Sequence, residues 1–288
     1  MEQTKRNEPI NQNVITITEQ DLASYKDKGY WISPKLLDDD QIERLKLAHD
    51  RIWNGEADGD GYPQYGIVRA DPNSVKIRKL DNGWWINNEV RSVVTSPLIG
   101  RLASELMEVP EVRLWHDQVI LKPGAGADAA TQAGNVGWHQ DYGYWQCSST
   151  TNMVTVWIAL QDTDLTNGGM VSINGSHKWG LIPDSNTFFN QDMDQLKAKY
   201  ASDGREWVEE PCILKAGQAS FHHSLTFHGS GPNFTDQPRR SIVAHLMPGD
   251  TYYRKGVQWH PNMHFMGPRP YDGKRFDNEY FPLLYSRG

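Results

Sequence analysis

The sequence predicts a mainly β fold with flanking helices, in which helical elements pack on one side of a double-sheet jelly roll. Three observations carry this. From Glu111 onward, short runs of β-branched and aromatic residues follow one another closely. Clusters of Gly with Asn separate some of them, as in Thr166-Asn167-Gly168-Gly169 and in the stretch from Gly229 to Asn233. Amphipathic helical patterns lie mostly before residue 110.

Element by element, residues 1–15 are polar and read as disordered. Thr18-Glu19-Gln20-Asp21 starts a helix that runs through Lys28. Asp38 to Trp53 reads as an amphipathic helix, with Leu37, Ile42, Leu45 and Leu47 among its apolar positions. Asn54 to Gly66 is rich in Gly and Asp, hence loop. Ser96 to Met107 is another helix, with Pro97 in its first turn. Strands are expected at Val112–Leu121, Met153–Leu160, Met170–Ile173, Cys212–Leu214, Ala219–Phe227 and Ser241–Met247. A helical insert falls at Asn190–Ala201, and no internal repeat is visible. The chain reads as one domain over 1–288: mainly helical support over 16–110, a jelly-roll core over 111–250 and an aromatic-rich tail over 251–288.

Bulk properties exclude several functions. A formal charge of −7 opposes nucleic-acid binding, which requires a basic stripe. It also weakens the case for a coenzyme A ester and leans toward a neutral or cationic small-molecule substrate. No apolar run is long enough to span a membrane, and the N-terminus carries no apolar core of a signal peptide. Cys147 and Cys212 build no disulfide framework and fit a reducing compartment, so a cytoplasmic location is the default. The oligomeric state is not encoded in any feature of the chain.

The chemistry concentrates around His139-Gln140-Asp141. On a strand, residues i and i+2 share a face, so both side chains could ligate one ion. His228 follows 87 residues later, at the end of a β-like run. Two histidines and one carboxylate on one face of an octahedral ion leave three positions open, the pattern of non-haem Fe(II) oxygenases. Arg239 lies ten loop residues beyond His228, where a hairpin would bring it onto the neighbouring strand. There it could grip a carboxylate through two parallel N–H bonds. Alternation sends its neighbour Arg240 to the opposite face.

Three blocks then carry a family likeness. Trp138-His139-Gln140-Asp141-Tyr142, Asn167-Gly168-Gly169 through Gly175-Ser176-His177, and His228 to Asn233 through Pro238-Arg239 resemble the phytanoyl-CoA dioxygenase family. The resemblance runs from about Tyr25 to Pro248. It implies a cupin-like double-stranded β-helix, Fe(II), 2-oxoglutarate as co-substrate and O2. It also implies His139, Asp141 and His228 as metal ligands and Arg239 as the clamp on 2-oxoglutarate. Ser230 and Trp157 match family positions that line the 2-oxoglutarate pocket, and Gln118 is a weaker match. Asn174 departs from the Pro that commonly precedes Gly-Ser-His in the family. The implied reaction is hydroxylation of a small molecule with release of succinate and CO2. Halogenation, desaturation, epoxidation or ring formation are related alternatives, and a non-catalytic jelly roll is the alternative from another class.

Other residues are read against packing roles. His222 and His223 are expected to be packed or hydrogen-bonded, and His223, at an odd offset from His228, should face away from it. His260 and His264 read as structural, and His177 as a turn residue. Trp138, Gln140 and Tyr142 should face away from the ligands. Tyr144 and Trp145 are the better pocket walls. Trp84-Trp85 and Trp259 could cover the barrel mouth, and Gly124–Gly134 is a candidate lid.

Overall fold

The computed structural model describes residues 15–59, 76–126 and 134–288. Residues 1–14, 60–75 and 127–133 are outside it, so the expected N-terminal disorder, most of the Asn54–Gly66 loop and most of the candidate lid fall outside the described residues.

The N-terminal elements follow their capping chemistry. Helix α1 (Glu19–Lys28) is capped by Thr18, whose side chain accepts from the Asp21 backbone N–H while the Asp21 carboxylate accepts from the Thr18 N–H. Helix α2 (Asp39–Trp53) repeats this reciprocal cap with Asp38 and Gln41. Ile42, Leu45 and Ile52 of α2 are buried, but Leu47 points to solvent, because the apolar stripe of this helix does not reach its position. Helices α3 (Asn88–Val94) and α4 (Pro97–Met107) complete the layer, with Pro97 at the start of α4 as expected. Strands β1 (Tyr30–Ile32) and β2 (Arg78–Asp81) also lie in this region, so it is not helical alone. Both are too short to show a period-2 pattern.

The core is two facing antiparallel sheets. The larger contains β1, β2, β3 (Glu111–Lys122), β5 (Val154–Ala159), β8 (Ala219–His223), β10 (Arg239–Pro248) and β11 (Leu283–Ser286). Its main order is β1-β8-β5-β10-β3-β11, and β2 pairs with β3. The smaller sheet runs β4-β9-β6-β7, from β4 (Val136–His139), β6 (Met170–Ile173), β7 (Glu209–Pro211) and β9 (His228–Ser230). This is the expected jelly roll. The outer face of the large sheet buries Val112, Leu114, Val154, Val156, Phe221 and Leu246 against the helices. Helix α5 (Met193–Tyr200) covers the small sheet through Leu196 and Tyr200, packed near Trp138 and Phe227.

Two strand expectations are corrected. The expected strand at Cys212–Leu214 lies just before it, at Glu209–Pro211, and only a single bridge joins Leu214 to Thr163. The run Ala219–Phe227 is not one strand. It ends at His223, and the chain crosses by a turn to begin β9 at His228 in the other sheet. Polar Ser224 and Thr226 spend their hydrogen bonds on that crossing: Ser224 Oγ donates to the Thr151 carbonyl and Thr226 Oγ1 to that of Gly29. The tail is integral to the large sheet. It contributes β11, and Phe276 and Phe281 pack on Trp115.

No helix among the described residues is long and apolar enough to cross a membrane. Cys147 and Cys212 are both buried and free.

Candidate metal centre and its cavity

His139 closes β4, and His228, the first residue of β9, stands directly opposite it in register. The regular strand does not continue to Asp141. Gln140 is still extended, at φ −109° and ψ 131°, and Asp141 opens a 3-10 turn spanning Asp141–Tyr144. One extended residue suffices for His139 and Asp141 to share a side. Gly137 permits the local path: a Cβ there would come within 2.2 Å of the Asn190 carbonyl oxygen and 2.3 Å of that of Thr187.

One potential ligand atom from each of His139, Asp141 and His228 lies within 4.8 Å of the others. Asp141 Oδ1 is 3.7 Å from His139 Nε2 and 3.9 Å from His228 Nε2. His139 Nδ1 meets the Gly137 carbonyl at 2.7 Å, and His228 Nδ1 meets that of Thr226 at 3.0 Å. A carbonyl only accepts, so each ring carries its proton on Nδ1 and turns an Nε2 lone pair toward the centre. Burial holds His228 well below the usual imidazole range, and the rings of His139 and His222 act in the same direction. Burial pushes Asp141 toward neutrality, but the surrounding histidines, His228 first, outweigh it and leave its pKa well below the carboxylate range. The Nε2 atoms of two imidazoles and one carboxylate therefore converge, a donor set that fits Fe(II) with an open face.

Arg239, Ser230, Trp157 and Gln118 line the same cavity, which holds about 280 Å³. Arg239 is buried, and its Nε and Nη1 have no hydrogen-bond partner in the protein. Its guanidinium lies 4.9 Å from the Trp157 ring centre. Burial pulls its pKa down to about 10, which still leaves it charged at neutral pH. Arg240 turns the other way and pairs with Asp50 at 2.7 Å, as alternation requires. Behind Arg239 stands its register partner Lys122, whose Nζ donates to Ser230 Oγ at 2.6 Å and to the Gly231 carbonyl. Lys122 was not singled out from the sequence. Its signal was a lysine ending the apolar run Val119-Ile120-Leu121.

The other readings divide. Tyr144, Trp145 and Trp259 line the cavity. Trp138, Gln140 and Tyr142 point away into the packed shell, as alternation predicted. Trp84-Trp85 do not line it: Trp85 packs edge-on against Phe265 at 4.5 Å. His223 does face elsewhere, but His222 reaches the centre, with Nε2 at 3.4 Å from Asp141 Oδ2. His177 sits in the turn expected, its Nε2 at 3.1 Å from the Lys26 carbonyl. His260, read as structural, lines the cavity beside His116, because the tail folds back over the barrel mouth. Sequence reasoning also missed Thr155, His116, His245, Asp81 and Lys79. The available signal was polar residues recurring at alternate positions inside apolar strands.

This geometry has relatives. The profile described as phytanoyl-CoA dioxygenase (PhyH) matches residues 25–241. The chain belongs to the phytanoyl-CoA dioxygenase family. The peroxisomal phytanoyl-CoA dioxygenase of Homo sapiens is 24% identical over 259 residues, covering 85% of this chain and 72% of that protein. The ectoine dioxygenase of Streptomyces avermitilis is 27% identical over 246 residues, covering 78% of this chain and 77% of that protein. Among solved structures, the α-ketoglutarate-dependent carbocyclase SnoK of nogalamycin biosynthesis superposes with a TM-score of 0.71 at 22% identity. That match covers 96% of this chain and 99% of SnoK, and it shows the shared fold. As a family member the protein is an Fe(II)- and 2-oxoglutarate-dependent dioxygenase, with iron as its metal and 2-oxoglutarate and O2 as co-substrates.

Proposed function

We propose that His139, Asp141 and His228 hold the iron, that Arg239, Ser230, Trp157 and Gln118 form the 2-oxoglutarate site, and that the protein hydroxylates a small neutral or cationic molecule. The observation that carries this is the pairing of a converged His/Asp/His set with a buried, partnerless guanidinium in one cavity. An isolated buried cation is costly, and a bound carboxylate relieves that cost through two parallel N–H bonds. Iron loaded with 2-oxoglutarate and O2 supplies the oxidising power, with succinate and CO2 as by-products.

The chain's own groups orient and exclude. Thr155 Oγ1 donates to Asp141 Oδ2 at 2.6 Å, leaving Oδ1 facing the two histidines. Trp157 flanks the guanidinium and Ser230 is held by Lys122, which fixes the co-substrate end. Tyr144, Trp145, Phe188 and Trp259 add aromatic wall to the same cavity, with Tyr144 and Phe188 beside His139, and limit water. We take the whole chain as one catalytic domain, since the tail supplies both β11 and Trp259. The two buried free cysteines suit a reducing compartment, the cytoplasm.

The test is anaerobic. One Fe(II) per chain should bind, and adding 2-oxoglutarate should produce a weak visible charge-transfer band. Stoichiometric zinc that iron cannot replace, with no band and no succinate under air, would sink this reading.

A further inference from the structure

This inference deepens the oxygenase reading by assigning the substrate end of the same cavity. The floor of the cavity is built from three neighbouring strands, β3, β10 and β5. Along β10 the inward residues include Arg239, Val243 and His245, and along β3 they include Ile120, Gln118 and His116. His245 lies opposite both His116 and Thr155. Six residues of strand set the Arg239 end ~20 Å from the His245 end.

The proton count at this second end is determined. Thr155 has one hydroxyl proton and gives it to Asp141, an acceptor-only carboxylate, at 2.6 Å. Thr155 Oγ1 is also 2.8 Å from His245 Nδ1, so it must accept there, and Nδ1 carries the imidazole proton. His245 Nε2 is then a bare lone pair. It is buried and has no hydrogen-bond partner. Burial keeps this ring neutral, and the neighbouring His116 adds to the effect.

The surroundings agree. The ring of His116 lies 4.3 Å from that of His245, and neither of its nitrogens has a hydrogen-bond partner. Asp81 faces His116 Nδ1 at 3.9 Å. Lys79 lines this part of the cavity but is bound to both Asp81 oxygens, at 2.7 and 2.8 Å. His260 adds one donor: its Nδ1 accepts from the Asn262 N–H at 3.2 Å, which leaves the proton on Nε2. Trp145 closes over His245 at 4.7 Å.

We infer that the His245–His116–Asp81 end is the substrate-recognition subsite, and that it takes a hydroxyl or ammonium head and rejects carboxylate, phosphonate or sulfonate heads. An acceptor-only anion would set its lone pairs against that of His245 Nε2. A hydroxyl donates to Nε2 and can accept from His260. An ammonium donates to Nε2 and to Asp81.

Two measurements on the full-length protein test this. Loading it with redox-inert Zn(II) and saturating 2-oxoglutarate occupies the Arg239 end and confines probes to the other. The first measurement is the two-bond ¹H–¹⁵N correlation of ¹⁵N-histidine protein at neutral pH, with the His245 signals assigned by their loss in His245→Phe. A proton on Nδ1 and none on Nε2 is expected. An Nε2–H tautomer or an imidazolium overturns the inference, whether or not His245→Phe binds any probe.

The second is calorimetry with cyclopentanol, cyclopentylamine and cyclopentanecarboxylate. The alcohol or the amine should bind at least ~10-fold tighter than the acid, since losing one buried hydrogen bond has about that effect. His245→Phe should erase the difference. Preference for the alcohol identifies a hydroxyl head, and preference for the amine identifies an ammonium held by Asp81. Equal or tighter binding of the acid, no binding of any probe at millimolar concentration, or a preference that survives in His245→Phe overturns the inference. Failure to take up 2-oxoglutarate is a separate result. It counts against the oxygenase reading and leaves the tautomer measurement intact.

Discussion

The two ends of the cavity share one floor yet are opposite in chemistry. At the Arg239 end, the buried guanidinium has unpartnered N–H groups, and beside it on the adjacent strand burial and Arg239 push the pKa of Lys122 well below the usual lysine range. At the His245 end, the charges are already paired as Lys79 with Asp81, and the unpartnered atoms are imidazole nitrogens. One end is short of negative charge, and the other holds an unsatisfied acceptor, His245 Nε2. A dianionic co-substrate and an uncharged or cationic substrate would thus sort themselves by end, with the His/Asp/His set between them. Thr155 couples the set to the substrate end by bonding both Asp141 and His245.

The largest effect should come from breaking what both ends serve. Asp141→Ala leaves two protein ligands and should reduce Fe(II) affinity and succinate output by more than ~100-fold, since even outer-shell changes cost 10–100-fold. Iron titration and a coupled succinate assay read this. If Asp141 ligates the iron as proposed, it fills the position a halide would need, so the native enzyme should give no brominated product in bromide buffer. Mass spectrometry showing one, or full activity in Asp141→Ala, would remove Asp141 from the ligand set.

Arg239→Ala should come next. It should leave iron binding intact while weakening 2-oxoglutarate by on the order of 30- to several-thousand-fold, the usual ~2–5 kcal/mol for losing one partner of a buried charge pair. Arg240→Ala is the internal comparison. Its partner Asp50 is half exposed, so the change should stay within ~1 kcal/mol of stability and leave 2-oxoglutarate affinity unmoved. Titrating 2-oxoglutarate into each variant by following the charge-transfer band checks both. Equal sensitivity of the two arginines would erase the contrast between cavity and surface on this strand.

Thr155→Val tests the coupling between the ends. It removes the proton that Asp141 Oδ2 receives and should weaken iron by ~10–100-fold, as for other outer-shell partners of metal ligands. Unchanged iron affinity, measured by competition with a chelator, would show that Asp141 is positioned without it.

The sequence revealed these parts unequally. The helices were legible because their caps are local: Thr18 with Asp21, and Asp38 with Gln41, each lie three residues apart. The His139, Asp141 and His228 grouping was legible because a short motif and a Gly-rich turn mark it. The reason given for it was only half right, since Asp141 lies on a 3-10 turn and not on the strand. The second end was hidden. His116, Thr155 and His245 come from three strands, and only the register that places His245 opposite both of the others brings them together. His260 required the tail to fold back across the mouth, a long-range packing event that no local pattern records. Splitting the run Ala219–Phe227 after His223 likewise depended on two sheets competing for one stretch; it leaves His223 facing elsewhere, as expected, and brings His222 to the centre.

The smallest effect concerns pH and separates His116 from residues that only pack. Burial lowers the His116 pKa from its ordinary 6.5 to about 4 in the folded protein, against an opposing pull from Asp81. The unfolded chain therefore takes up a proton near pH 6.5 that the folded protein refuses until about pH 4. Stability from this group is complete above pH 6.5 and is lost as pH falls toward 4, by ~1.4 kcal/mol per unit at most. His116→Phe keeps a ring of similar size but cannot titrate. It should flatten the fall in stability between pH 6.5 and 5.5 by ~1 kcal/mol, and other buried histidines such as His49 should keep the remainder of the slope. Urea unfolding at several pH values across that interval measures this directly. If the slope is the same in both proteins, His116 is already protonated in the fold, and Asp81 then commits its charge to His116 as well as to Lys79. The second end would in that case lack the carboxylate needed to prefer an ammonium, and among donor heads only the hydroxyl would remain.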